Sequence, residues 1–294
     1  MGSWIMSGKR PLTQSHFIGA AMANLTHLDF DRINKRTYGA KRVVRQFQAA
    51  AGWLERGEQA AFDLIADYVR DRAILDIGVG GGRTAPLMLS ISADYRGIDY
   101  CPTMVDVARS RFPRQQFVVM DARRLTFTDS SFDLVAFSYN GIDSVDLAGR
   151  LEILGNVHRV LRPGGYFVFS ALNRQGSARD DHWPDLGVFH DVGWSPNRLF
   201  HAAGRLVLGG ANWLRLHHFA KDDGEVAVGN ISAHAFGLIT LFTSLKAQLQ
   251  QLAEAGFQVD AVLEPDGRRI ASDGCDASNA PWYHFVARRP VSEQ

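Results

Sequence analysis

"ILDIGVGGGRT", residues 74–84, runs an apolar stretch with one acidic residue into four glycines. Glycine loses more backbone freedom on folding than any other residue, so four of them beside a buried strand mark a turn that needs bare backbone. Gly78, Gly80 and Gly82 fall between a strand and a helix, at the strand's carboxyl end. Open α/β sheets bind their ligands there. Taken alone, such a turn is either a tight connection or a nucleotide site. The dinucleotide fingerprint is G-x-G-x-x-G, whereas this chain reads G-x-G-x-G with Asp76 two residues upstream. Asp99 in "GIDY" ends the next strand, at about the spacing that suits a carboxylate accepting from ribose hydroxyls.

Outward from that turn the texture alternates. Strands are expected at 73–77, 95–99, 116–120, 132–138, 166–171, 257–263 and 282–288, seven in all. Helices are expected at 84–92, 102–112, 147–161 and about 240–255, the one at 147–161 with Leu151, Leu154, Val157, His158 and Leu161 on one face. Strands and helices alternating at this interval make βαβ units and a doubly wound, mostly parallel sheet. Residues 38–70 carry helical spacing, broken near "RGE" at 56–58, and residues 1–37 are mixed, with one short helix. Residues 172–232 interrupt the alternation and are too long for a plain connection. The organisation expected is an N-terminal helical cap at 1–70, a cofactor-binding core at 71–173, an inserted lid at 174–238 and a completion of the sheet at 239–294.

Apolar residues make up 46% and charged residues 21% of 294, the balance of a globular protein with a sizeable core. A net charge of +1 offers no electrostatic footprint for nucleic acid or an anionic membrane. Two cysteines exclude a disulfide framework. The start of the chain shows no basic region followed by an apolar core, and the apolar runs are far short of a membrane span. A cytoplasmic location is expected, with no nucleic-acid or membrane partner, as a monomer or homodimer.

"ILDIGVGGGRT", "YRGIDYCPTMVDVAR", "VVMDARRL", "FDLVAFS" and "EILGNVHRVLRPGGYFVFS" together resemble the class I S-adenosylmethionine-dependent methyltransferases of small-molecule type. The resemblance covers residues 70–171 and, more loosely, 240–289. It implies a seven-stranded Rossmann-like sheet whose last strand is antiparallel, and S-adenosyl-L-methionine as cofactor, leaving as S-adenosyl-L-homocysteine. It places Gly78 and Gly80 against the methionine part, with Asp76 helping directly or through the loop. Asp99 takes the ribose diol, with Tyr100 and Met104 packed near adenine or ribose. Asp121 accepts from the adenine amino group, Ala122 offers its backbone N–H, and Ser138 lies below the sulfonium. Tyr100 reads equally as an ordinary strand-end aromatic, Met104 as a core methionine, and Asp76 as a turn cap.

The acceptor side departs from well-marked subfamilies. Amine and nucleobase enzymes of this class carry Asn or Asp, Pro, Pro and an aromatic after the fourth strand, where this chain has Ser138, Tyr139, Asn140 and Gly141. Metal-dependent catechol enzymes place an aspartate where this chain has Ser138, and an Asp-Asn pair where it has Leu172-Asn173, so no metal is expected. The interruption and its flank hold six of ten histidines. His234 is the first candidate base, His190 beside Asp191 the second, and Asn140 a candidate for orienting an acceptor. Each histidine reads equally as structural. The expected activity is methyl transfer to an O or N atom of a small, cyclic or aromatic acceptor. A protein side-chain methyltransferase, a nicotinamide-dependent oxidoreductase and a binding protein without chemistry stand as alternatives.

Overall fold

The computed structural model describes residues 27–49, 52–179, 196–270 and 278–291. The central sheet forms where the sequence alternates. Its strands are β1 (Ile74–Ile77), β2 (Tyr95–Asp99), β3 (Gln116–Val119), β4 (Phe132–Phe137), β5 (Leu161–Leu172), β9 (Gln258–Leu263), β10 (Arg269–Ile270) and β11 (Trp282–Arg288). They lie in the order β3-β2-β1-β4-β5-β11-β9-β10. β1 runs parallel to both β2 and β4, so the winding reverses beside it and a crevice opens at its carboxyl end. β11 is antiparallel to both β5 and β9. The sheet thus has eight strands rather than seven. The extra one is a two-residue hairpin partner of β9 at the edge, too short to leave a periodic signal.

Both faces of the sheet are covered, which is why β1 and β4 are buried at every position. One face packs Leu75, Ile77, Val135, Phe167, Phe169 and Phe285 against α7 (Leu147–Val160) and α9 (Leu245–Glu254). Phe167 stacks on Phe169 at 4.4 Å and Phe169 on Phe285 at 4.9 Å, a ladder that period-two alternation puts on one side. The other face packs Ile74, Leu134 and Val286 against α3 (Arg56–Asp63), α5 (Ala85–Ile91) and α6 (Pro102–Arg111). Two further helices, α1 (His27–Tyr38) and α2 (Lys41–Ala49), precede α3. The break expected at "RGE" falls just before it, at Gly52 with φ +69°.

α7 corrects the expected face. Its buried side is Arg150, Ile153, Leu154, Val157 and Val160, while Leu151 is 44% exposed and Arg150 only 1%. Arg150 goes inside because its partners are there. Its guanidinium donates to Asp143 Oδ1, to Gln251 Oε1 at 2.8 Å and to Gln248 Oε1 at 3.2 Å. Asp143 Oδ2 accepts from the Leu172 N–H at 2.6 Å. This buried network joins the turn after β4 to β5 and α9.

The stretch expected as one helix at about 240–255 is a strand followed by a helix. β8 (Ile239–Thr243) pairs antiparallel with β7 (Val226–Asn230), which pairs with β6 (Lys221–Asp222), making a second, three-stranded sheet. Ser244 separates β8 from α9, its hydroxyl accepting from the Ala247 N–H at 3.1 Å. Ser244→Ala removes that cap and is expected to lower stability by about 1 kcal/mol in a urea titration. The second sheet packs Val226, Val228, Ile239 and Leu241 against Phe30 and Ile33 of α1 and Leu216 of α8 (Pro196–Leu216). Asn34, fully buried, fastens α1 to it. Asn34 Nδ2 donates to the Ser144 and Ile239 carbonyls at 2.8 and 2.9 Å, and Oδ1 accepts from the Ile239 N–H at 3.0 Å. Among the described residues, no helix is long and apolar enough to cross a membrane.

Candidate active site

At the glycine turn Gly78, Gly80 and Gly82 take φ of +65°, +52° and +77°, a region that side chains disfavour. Gly81 is needed for approach instead. A Cβ there would lie 2.4 Å from the Phe47 carbonyl oxygen, because α2 comes down onto the turn. Asp76 lies behind it, fully buried. Its carboxylate accepts from the Thr84 hydroxyl at 2.6 Å and the Tyr95 hydroxyl at 3.0 Å, tying β1 to the start of α5. Burial pushes its pKa up to about 6 against those two hydrogen bonds.

A cavity opens in front of the turn, in the crevice where the winding reverses. Of the residues singled out from the sequence, Gly78, Gly80, Asp99, Tyr100, Met104, Asp121, Ala122, Ser138, Asn140 and His234 line it. Asp76 does not, and His190 lies outside the described residues. Asp99 Oδ2 accepts from the Gly80 N–H at 2.9 Å and Oδ1 from the Cys101 N–H at 2.8 Å. Burial raises its pKa to about 6, and the two backbone donors pull the other way. Each oxygen keeps capacity to accept a further hydrogen bond. The Tyr100 hydroxyl is buried without a partner among the described residues. Met104 lines the cavity and also packs against Val43 and Val107.

Asp121 is engaged by Arg123, whose Nε lies 3.0 and 3.1 Å from its two oxygens and whose Nη2 also reaches Asp31 Oδ2 at 2.7 Å. Burial raises the Asp121 pKa, but the hydrogen bonds and charge of Arg123 outweigh it and hold the carboxyl below its ordinary value. The salt bridge to Asp31 fastens α1 over the edge of the cavity.

The roof was less legible. Phe47, Ser144 and Thr240 line the cavity although nothing in their own sequence neighbourhoods marks them. Tyr38, Phe47, Tyr100 and His234 form one aromatic cluster, Tyr38 meeting the other three rings at 6.2, 6.3 and 5.8 Å. The only cue is Tyr38 at the start of the expected helical run at 38–70, and the structure ends α1 there. Burial pushes the Tyr38 phenol up to about 12, so it stays protonated beside Ser144 Oγ at 3.1 Å. His234 is carried in on a left-handed turn with Ala235 and Phe236, and its Nδ1 lies 3.2 Å from Gln46 Oε1. That acceptor sets Nδ1 as the protonated nitrogen and leaves Nε2 with the lone pair. Burial first, then Arg42, lower its pKa to about 4. A neutral imidazole this weakly basic orients a donor better than it stores a proton, since a general base works best near the operating pH.

A family model described as a methyltransferase domain matches residues 75–169. The matched span begins at the strand leading into the glycine turn and ends in β5. Residues 75–169 are thus similar to a methyltransferase domain. An uncharacterized methyltransferase of Synechocystis is 32% identical over 116 residues, covering 40% of this chain and 53% of that protein. A demethylmenaquinone methyltransferase of Chlorobaculum tepidum is 35% identical over 97 residues, 33% of this chain and 39% of that one. The chain therefore spans about half or less of the length of these curated relatives. Among solved structures, Burkholderia thailandensis 1,6-didemethyltoxoflavin-N1-methyltransferase, with bound 1,6-didemethyltoxoflavin and S-adenosylhomocysteine, superposes at TM-score 0.54 and 15% identity. That alignment covers 90% of this chain and 91% of the Burkholderia one, and it supports the fold.

The cavity presents groups that fit an adenosyl cofactor. A glycine cradle held at positive φ, a buried carboxylate with unused acceptor capacity, and a tyrosine whose buried hydroxyl has no partner among the described residues all belong to the lining of one cavity. Among the described residues, no cluster of three or more His, Cys, Asp or Glu is placed to hold a metal ion.

Proposed function

We propose that this chain transfers a methyl group from S-adenosylmethionine to an O or N atom of a small-molecule acceptor, with a cyclic or aromatic acceptor favoured by the lining. The observation that carries the reading is that one cavity joins the glycine turn and Asp99 to Asn140, Tyr38 and His234. The cofactor, when bound, supplies the electrophilic methyl group. Gly78 and Gly80 leave backbone open to its amino-acid end, Asp99 accepts from the ribose hydroxyls, and Ala122 with Asp121 borders the adenine. The roof from α1, α2 and β8 excludes water, and alignment of the two reactants is the main contribution asked of the protein. Asn140 and the Nε2 of His234 accept hydrogen bonds from the incoming nucleophile and hold its lone pair in line.

A C-methylation reading stands beside this one, because one relative is named a ubiquinone/menaquinone biosynthesis C-methyltransferase. An activated ring carbon would use the same alignment. The protein is to be incubated with methyl-labelled S-adenosylmethionine and a cell extract split into small-molecule and protein fractions. Label in the small-molecule fraction is expected. Label confined to protein would overturn the acceptor assignment and favour a side-chain methyltransferase.

A further inference from the structure

Tyr139, which lines the cavity, and Trp53, which packs against Tyr139 outside that lining, are two large aromatic side chains that stay exposed. Trp53 is 43% and Tyr139 53% accessible, and their rings meet edge to face at 5.6 Å and 87°. Arg83, which follows the last glycine of the turn, holds both. Its guanidinium carbon lies 4.9 Å from the Trp53 ring centroid and 5.2 Å from that of Tyr139. Its charge is already spent. The two terminal nitrogens donate to Glu58 at 2.7 and 2.8 Å, and one also to the Trp53 carbonyl at 2.9 Å. With Glu58 buried and paired to the part-buried Arg83, the group is a clamp for two rings rather than an anion site.

The backbone behind the corner is strained. Tyr139 and Asn140, consecutive residues without glycine's freedom, take φ of +56° and +58°. Such conformations persist only where the surroundings enforce them, and they cluster at functional sites. Here Ser170 Oγ accepts the Asn140 N–H at 2.8 Å and holds the turn. The consequence is that Tyr139 lines the cavity while staying more than half exposed, and that Asn140 lines it with Oδ1 buried and without a partner. A carbonyl oxygen only accepts, so what satisfies it must donate.

We propose that Trp53 and Tyr139, clamped by Arg83, form with Asn140 the recognition site for a planar aromatic acceptor that carries an O–H or N–H. This rests on the methyltransferase reading and specifies its acceptor. The right-angled corner offers one ring for stacking and the other for an edge contact, an arrangement that a flat π-system fills and a puckered aliphatic ring does not. The clamp fixes both rings before binding, so little freedom is lost when a guest arrives. Asn140, one residue deeper, takes the donor and points it along the cavity toward the side bounded by Gly78 and Asp99.

The test uses 1-naphthol, its saturated analogue 1-decalol and 1-methoxynaphthalene, titrated into the full chain with and without saturating S-adenosylhomocysteine. Naphthol is expected to bind about tenfold or more tighter than decalol, and Trp53→Leu or Tyr139→Leu to erase about that factor, as loss of an aromatic anchor does. Leu64→Ala, an exposed apolar residue outside the cavity lining, leaves binding unchanged. Methoxynaphthalene binds more weakly than naphthol, and Asn140→Ala removes the difference between them. Equal affinity for naphthol and decalol, no saturation by naphthol, or unchanged binding in Trp53→Leu would overturn the proposal. Failure of S-adenosylhomocysteine to bind would instead strike the methyltransferase reading, and the naphthol titration without it still decides the aromatic corner.

Discussion

Asp143→Ala is expected to lower the unfolding free energy by about 3–5 kcal/mol, the cost of leaving a buried charge without its partner. The Asp143 and Arg150 side chains are 0% and 1% exposed. Burial pushes the Asp143 carboxyl up and Arg150 down, and each charge works against the other's shift. Removing the carboxylate strands the guanidinium and also deprives the Leu172 N–H of its acceptor. A urea midpoint shift at unchanged slope reads the loss. The double replacement Asp143→Leu with Arg150→Met should recover the part due to the stranded charge, because two apolar groups escape the desolvation cost, but not the part due to the Leu172 N–H. If Asp143→Ala stays within about 1 kcal/mol of the parent, the pair is not the strut between β4, β5 and α9 described here.

Asp99→Ala is expected to weaken S-adenosylhomocysteine binding by about 1–3 kcal/mol, the cost of losing a buried hydrogen-bonding partner. The parent protein should show the same dependence through pH. Burial raises the Asp99 pKa to about 6, and only the ionised form accepts from both ribose hydroxyls. Affinity is therefore flat above about pH 7 and falls as pH drops through 6, approaching about tenfold per pH unit. Stability moves the other way. A carboxyl with a raised folded-state pKa holds its proton in the native state where the unfolded chain has released it, so its contribution falls as pH rises from about 4 to 6. Asp76 titrates in the same range, and Asp99→Asn separates the two by flattening the affinity profile. An Asp99→Asn protein that keeps the full pH dependence would contradict the ribose assignment.

The readable parts of the sequence were those whose signal is local. β1, β2 and β11 follow from short runs of apolar and β-branched residues, and the glycine turn from its spacing and the acidic residue at the end of β2. The residues at the glycine turn and Asp99 are legible because they sit at strand ends, where chain direction and sheet order decide what meets the crevice. β8 was hidden because "ITLFT" runs straight into a helical pattern, and its strand partner β7 lies across a loop with no local mark. Arg150 and Leu151 exchanged their expected places for the same reason. A buried arginine is explained only by Asp143, Gln248 and Gln251, the last two about a hundred residues away. Phe47 over Gly81 and the Trp53–Arg83–Tyr139 corner likewise join residues whose pairing no periodicity announces.

Titration calorimetry of the full chain with S-adenosylhomocysteine and, separately, with NADH tests the central claim most directly. The glycine turn, Asp99 and Asp121 predict saturable binding of S-adenosylhomocysteine and none of NADH. Tight NADH binding with no response to S-adenosylhomocysteine would contradict it.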